Sequence, residues 1–190
     1  MTGAVLAGGK SVRFGRNKAL EAVGGKRLVE RAAESLAPFC DPVMVVANDL
    51  APYAHLGLML VRDIIPRQGP LGGIYTALLA GGDDWLLVKA TDMPFLVPEL
   101  ARLLIEAKEG FDAVVPMTGD RFEPLLALYS RRCLPWIVRQ LDSGERQIIR
   151  FYRHIRVRTV PEEEWRPVDP GGLSFRNVNT LQDLADISWT

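Results

Sequence analysis

Apolar residues in this chain fall into short blocks of two kinds, continuous runs and helical stripes, and the two kinds alternate. Residues 3–7 form a continuous run that predicts a buried first strand. Over residues 26–38 the period changes. Leu28, Val29, Ala32, Ala33 and Leu36 make one stripe at helical spacing, and Pro38 closes the helix. Residues 42–47, P-V-M-V-V-A, read as a strand buried on both faces, with Asn48 just beyond its end. Residues 58–61 give a third strand with Arg62 and Asp63 at its exit, and residues 64–68 are a loop. Gly69 to Ala80 predicts a helix with Leu71, Ile74, Leu78 and Leu79 inward and Pro70 pre-setting the first turn. Trp85 to Ala90 is a fourth strand ending in T-D-M-P.

Pro98 opens the next helix, with Leu100, Leu103, Leu104 and Ala107 inward. Residues 113–117 and 125–129 read as strands, and residues 131–141 and 147–152 as helices. Residues 155–160 form a late strand with one wet face, because Arg156 and Arg158 alternate with apolar residues. Residues 161–172 are a Pro- and acid-rich loop, and Thr180 caps a final helix with Asp183 three residues on. This order predicts an α/β fold in one domain spanning residues 1–190, a doubly wound, mostly parallel sheet with a late antiparallel strand. Sheets of this kind bind ligands at the carboxyl ends of their strands. Four features fall at such ends: Gly8–Gly9, Asp63, the Gly69 helix start and Asp92.

The residues there suit a polyphosphate. Gly8 and Gly9 let the backbone turn and approach a ligand without an intervening Cβ. Ser11, Arg13, Arg16, Asn17 and Lys18 follow closely. Backbone amides and cations so placed fit a nucleoside triphosphate, with Arg13 and Lys18 stabilising its charge during reaction. Gly9-Lys10-Ser11 is not the end of a P-loop, since Ala4 stands where that motif needs glycine. Asp92 is the candidate ligand for Mg²⁺, an ion that takes one or two protein carboxylates and keeps its waters. Gly72 and Gly73 weaken the first turn of their helix. Either an anionic ligand approaches closely there or the helix packs tightly on a strand.

Composition narrows the classes of function. The net charge is +0, so no global field points to nucleic acid or an anionic membrane. Locally, Arg131, Arg132, Arg139, Arg146, Arg150, Arg153, Arg156 and Arg158 face only Asp142 and Glu145, which makes either an anion site or a solvated helical face. Cys40 and Cys133 alone build neither a disulfide framework nor a zinc site. No signal peptide or membrane span is expected, and a cytoplasmic protein is. His55 and His154 lack the partners of a catalytic base.

L-A-G-G-K-S-V-R-F-G-R-N-K-A-L, at residues 6–20, resembles the signature of the molybdenum cofactor guanylyltransferase family of nucleotidyltransferases. The resemblance continues through G-P-L-G-G-I at Gly69, T-D-M-P at Thr91, P-L-L-A-L-Y at Pro124 and N-V-N-T at Asn177, in order across most of the chain. It implies a Rossmann-like nucleotidyltransferase fold. It also implies transfer of GMP from GTP to molybdenum-bound molybdopterin, with Mg²⁺, and dealings with other proteins of cofactor biosynthesis. By the same likeness Leu6, Ala7, Gly8, Gly9 and Lys18 hold the nucleotide, and Asp63 helps to bind the guanine nucleotide, where a carboxylate can accept from the paired N–H donors of the base. Asp92 binds nucleotide and metal, and Arg146, Asn177 and Asn179 lie on the pterin side. Asn17 stands in place of the family's aspartate and Phe14 in place of methionine. Val46 replaces an asparagine found in some members, which leaves Asn48 as its stand-in. The alternatives are a molybdopterin cytidylyltransferase, another nucleotidyltransferase with the L-A-G-G signature, or a nucleotide-binding regulatory or carrier protein without turnover.

Overall fold

The first strand, β1 (Thr2–Leu6), lies in the interior of the sheet, and every one of its residues is buried. The computed structural model describes residues 1–7, 17–23, 25–178 and 183. Gly8, Gly9, Arg13, Asn179 and Thr180 therefore lie outside the described residues. A short hairpin, β2 (Ala22–Val23) and β3 (Lys26–Arg27), precedes α1 (Leu28–Leu36). The expected helix thus starts at Leu28, where its stripe begins, and not at Lys26. Gly25, at φ 79°, turns the chain so that Lys26 and Arg27 pair with Val23 and Ala22. The stripe itself is as read, with Leu28, Val29, Ala32, Ala33 and Leu36 all buried.

Then come β4 (Val43–Ala47), β5 (Met59–Arg62), α2 (Gly69–Ala80), β6 (Trp85–Ala90) and α3 (Pro98–Glu106). The second half holds β7 (Ala113–Thr118), β8 (Arg121–Phe122), β9 (Leu126–Ser130), α4 (Leu134–Asp142), β10 (Val157–Val160) and α5 (Glu162–Trp165). The sheet runs β10-β7-β9-β6-β1-β4-β5, with β8 paired to β7. β1 lies parallel to β4 and β6, and β4 to β5. β9 is antiparallel to both β6 and β7, which is the late antiparallel strand expected from the sequence. Helices cover both faces. α1 and α3 pack on Val5, Val45 and Leu87, and α2 and α4 on Ala4, Met44 and Leu86.

Three local expectations change. Leu79 is exposed, because the inward stripe of α2 runs through Leu71, Ile74 and Leu78. A Cβ at Gly73 would lie 3.1 Å from the Leu6 side chain, so this glycine admits β1 to the helix and tight packing accounts for it. The stretch expected to be a loop after residue 160 contains α5, a helix too short to show a period. It is anchored by buried Trp165, whose indole Nε1 donates to the Met117 carbonyl at 2.7 Å.

Candidate active site

The parallel pairing brings the carboxyl ends of β5, β4, β1 and β6 side by side in that order. Each contributes a residue from the candidate set: Asp63, Asn48, Ala7 and Asp92.

Ala7 continues the ladder, its amide donating to the Val46 carbonyl at 2.9 Å. Its own carbonyl accepts from the Tyr53 hydroxyl at 3.1 Å. Leu6 turns its side chain into the core. Asn17 joins the same cluster, donating through Nδ2 to the Tyr53 oxygen at 2.9 Å while its Oδ1 accepts from the Ala19 amide. It thereby caps the 3-10 turn Lys18–Leu20. An aspartate here would only accept, drawing the tyrosine proton away from Ala7. The amide lets Tyr53 tie residue 17 to the end of β1. Burial raises the Tyr53 hydroxyl above its ordinary range, so it stays a neutral donor. Periodicity gave no warning of Tyr53, which lies in the short 3-10 helix Ala51–Leu56 after β4.

The turn capped by Asn17 aims Lys18 at the end of β6, with Nζ 3.7 Å from a carboxylate oxygen of Asp92. Both side chains are partly exposed, so the pair itself adds little to stability. Asp92 follows β6, and its backbone carbonyl accepts from the Val178 amide at 2.7 Å. Val178 is buried against Leu28, with Phe95 and Leu173 around it, while its neighbour Asn177 is exposed. Two segments far apart in sequence, one carrying Asp92 and the other Asn177, are hydrogen-bonded to each other here.

Asp63 is 8% exposed. Its amide donates to the Ala47 carbonyl at 3.0 Å, and its Oδ2 accepts from Asn48 Nδ2 at 2.8 Å. Oδ1 has no hydrogen-bond partner, and it is the sole such buried side-chain nitrogen or oxygen among the described residues. Burial pushes the carboxyl up. The Thr76 hydroxyl opposes this, although it does not reach hydrogen-bonding geometry with Oδ1. A buried acceptor left unpaired is unfavourable unless something else satisfies it. Asn48 is itself fixed, since its Oδ1 accepts from the amide of Arg67, a residue held at φ 64°. Asn48 thus orients Asp63, a role its place beyond the second strand hinted at without specifying.

The arginine-rich stretch divides. Arg132 and Arg156 both reach Asp112, at 3.4 and 3.3 Å. Burial raises the Asp112 carboxyl, but hydrogen bonds and charge from Arg156, with the charge of Arg132, outweigh it and hold the group below its ordinary range. Arg158 pairs with Glu164, and Arg131 donates to the Leu78 carbonyl. These arginines serve the fold, and most of the stretch is the solvated face. Arg146 differs: its Nε donates to Gln68 Oε1 at 3.1 Å, which places it at the start of α2. His154 stacks on Trp136, with ring centres 4.7 Å apart. Cys40 and Cys133 are buried, and burial pushes both thiols up to about 12, so neither is a nucleophile near neutral pH.

Among the described residues no three acidic, histidine or cysteine side chains gather as a metal cluster. An ion held by Asp92 would take further oxygens from water or a ligand's phosphates, a donor set that Mg²⁺ accepts. No helix of the described residues is long and apolar enough to cross a membrane.

Residues 3–159 match the family model of the MobA-like NTP transferase domain. A molybdenum cofactor guanylyltransferase of Desulfosudis oleivorans is 38% identical over 97% of this chain and 92% of its own length. A probable molybdenum cofactor guanylyltransferase of Pelotomaculum thermopropionicum is 40% identical over 96% of this chain and 89% of its own. The crystal structure of molybdopterin-guanine dinucleotide biosynthesis protein A from Archaeoglobus fulgidus superposes with a TM-score of 0.81 at 32% identity, covering 97% of this chain and 95% of that one. A 2-C-methyl-D-erythritol 4-phosphate cytidylyltransferase from Thermus thermophilus, 18% identical, shares the fold with a TM-score of 0.68 over 96% of this chain and 94% of its own.

Proposed function

The chain belongs to the MobA-like NTP transferase family, among the molybdenum cofactor guanylyltransferases, and from that premise we propose that it transfers GMP from GTP to molybdenum-bound molybdopterin. A phosphate oxygen of molybdopterin attacks the α-phosphorus of GTP. The bond from that phosphorus to the β-bridging oxygen breaks, and pyrophosphate leaves. No protein nucleophile is needed, because positioning and electrostatics carry phosphorus transfer.

The observation that carries the guanine assignment is the unpartnered Oδ1 of Asp63, beside an Oδ2 already engaged by Asn48. Guanine presents adjacent N–H donors on its Watson–Crick edge: one would satisfy the orphaned oxygen and the other the second lone pair of Oδ2. Cytosine offers no such pair. Lys18 neutralises phosphate charge opposite Asp92. Mg²⁺, when bound, would neutralise phosphate oxygens, and Asp92 is the residue to hold it. Arg146 and Asn177 flank this centre and suit the phosphate and heterocycle of the pterin, with Asn179 as a further contact. Two cysteines kept as buried thiols accord with a cytoplasmic setting.

The test is pyrophosphate release measured with each of the four common ribonucleoside triphosphates in the presence of molybdenum-loaded molybdopterin. Turnover with GTP is expected. Turnover with CTP alone would make the chain a cytidylyltransferase, and binding without release would make it a carrier.

A further inference from the structure

Lys89 is a charged residue in the middle of the core. It lies on β6 three residues before Asp92 and is 0% exposed. With the period of a strand it shares the face of Leu87, under α1 and α3. Burying an ammonium is unfavourable, and an apolar side chain of similar volume would serve stability as well or better. What an apolar residue cannot do is donate a hydrogen bond, and Lys89 Nζ donates to the carbonyl of Phe95.

Phe95 belongs to the segment that follows Asp92. That segment is held at two more points. The Val97 amide donates to Ser174 Oγ at 2.9 Å, and the Asp92 carbonyl accepts from the Val178 amide at 2.7 Å. Ser174 is in turn fixed by Asp169, 2% exposed, whose two carboxylate oxygens accept from the Leu173 and Ser174 amides at 2.8 and 2.9 Å. Burial pushes the Lys89 ammonium down to about 7, and the charge of Asp169 works in the opposite direction. The charge of Asp169 thus offsets part of the cost of burying the ammonium; Lys89 lies beneath the loop after Asp92, and Asp169 beneath the segment that carries Asn177.

We propose that Lys89, together with Asp169, is a positioning residue that sets the loop of Asp92 and the segment of Asn177 in register, so that metal and pterin sides of the site are placed as one unit. The proposal rests on the reading of Asp92 as a metal ligand. Replacing a residue that orients a metal ligand typically lowers metal affinity by about 10- to 100-fold.

The experiment measures Mn²⁺ binding by electron paramagnetic resonance in the presence of α,β-methylene-GTP, together with amide hydrogen exchange of residues 91–97 and 173–178. Lys89→Met is expected to raise the Mn²⁺ dissociation constant about tenfold and to speed exchange in both segments. Leu87→Ala, which loosens the same face without touching the ammonium, is expected to leave Mn²⁺ affinity within about twofold of the parent. Parent-like affinity and exchange in Lys89→Met would overturn the proposal, and so would an equal loss of affinity in Leu87→Ala. Should Lys89→Met not fold, Asp169→Asn, which removes the charge and one of the two acceptors of the Leu173 and Ser174 amides, tests the other half of the unit. Its expected loss is several-fold, and unchanged affinity and exchange would overturn the proposal. Parent protein binding Mn²⁺ no better than Asp92→Asn would instead defeat the metal reading. The exchange rates of the two segments would then still decide what Lys89 holds.

Discussion

Two regions of the molecule are rich in charge, and they use it differently. At the carboxyl ends of β5, β4, β1 and β6 the described carboxylates are two, Asp63 and Asp92. Among the described residues Asp63 keeps a buried oxygen unpaired, and an oxygen of Asp92 lies 3.7 Å from Lys18 Nζ. Between Arg131 and Arg158 the charges are many, yet Arg132, Arg156 and Arg158 already have carboxylates of this chain beside them. Density of charge in a sequence therefore says less about a binding site than whether the fold leaves a charge with something still to bond. Arg146 is the informative one, because its hydrogen bond to Gln68 places it at the start of α2.

The sharpest way to break this contrast is Asp92→Ala. Pyrophosphate release should fall by roughly 10³-fold. The thermal midpoint should scarcely move, since the side chain is partly exposed and its ion pair weak. Near-normal turnover would remove Asp92 from the chemistry. Lys18→Ala should follow with a loss of about 10²-fold in kcat, measured on protein whose circular dichroism matches the parent. A loss of melting temperature alone would make Lys18 structural.

Asp63→Asn comes next. The preference for GTP over CTP, read as a ratio of kcat/KM, should shrink by about 10- to 100-fold, the discrimination that a good base contact supplies. Equal losses for both nucleotides would move Asp63 to a ribose or packing role. In the arginine-rich region, Arg156→Gln should leave the KM for GTP and for molybdopterin unchanged. It should lower stability in urea by less than about 1 kcal/mol, because its guanidinium is largely exposed. Arg146→Ala should raise the KM for molybdopterin and leave stability alone. If the two variants behave alike, the division of this stretch fails.

The smallest effect concerns pH. Lys89 is pushed down to about 7 in the folded protein and ionises in the ordinary lysine range when unfolded. Between those values the unfolded chain binds the extra proton, so stability should rise with pH from 7 upward. Above about 8.5 the unfolded thiols of Cys40 and Cys133 begin to ionise while the folded ones stay protonated, which lowers stability and masks the rise. Urea midpoints from pH 7 to about 8.5 should therefore climb in the parent and climb less in Lys89→Met.

By itself the sequence determined the order of strands and helices and the positions where chemistry gathers, because both are local properties. The stripe from Leu28 to Leu36, the run of β6 and the acid that ends it need only neighbours within a few residues to be read. Short elements escaped for the same reason: α5 and the β2–β3 hairpin have no room for a period. The lysine inside the run W-L-L-V-K-A drew no reading from the sequence, because the run does not say what its charge meets. Only the tertiary structure decided which charges are used up. Pairings such as Arg156 with Asp112, Asn17 with Tyr53, or Val178 with Asp92 join residues far apart in the chain. They form because packing of a twisted sheet and its helices brings those atoms within hydrogen-bonding distance, and neither period nor composition carries that information. The same holds for Asp63. Its carboxylate was legible at the end of a strand, but the one oxygen that nothing in the described structure satisfies was not.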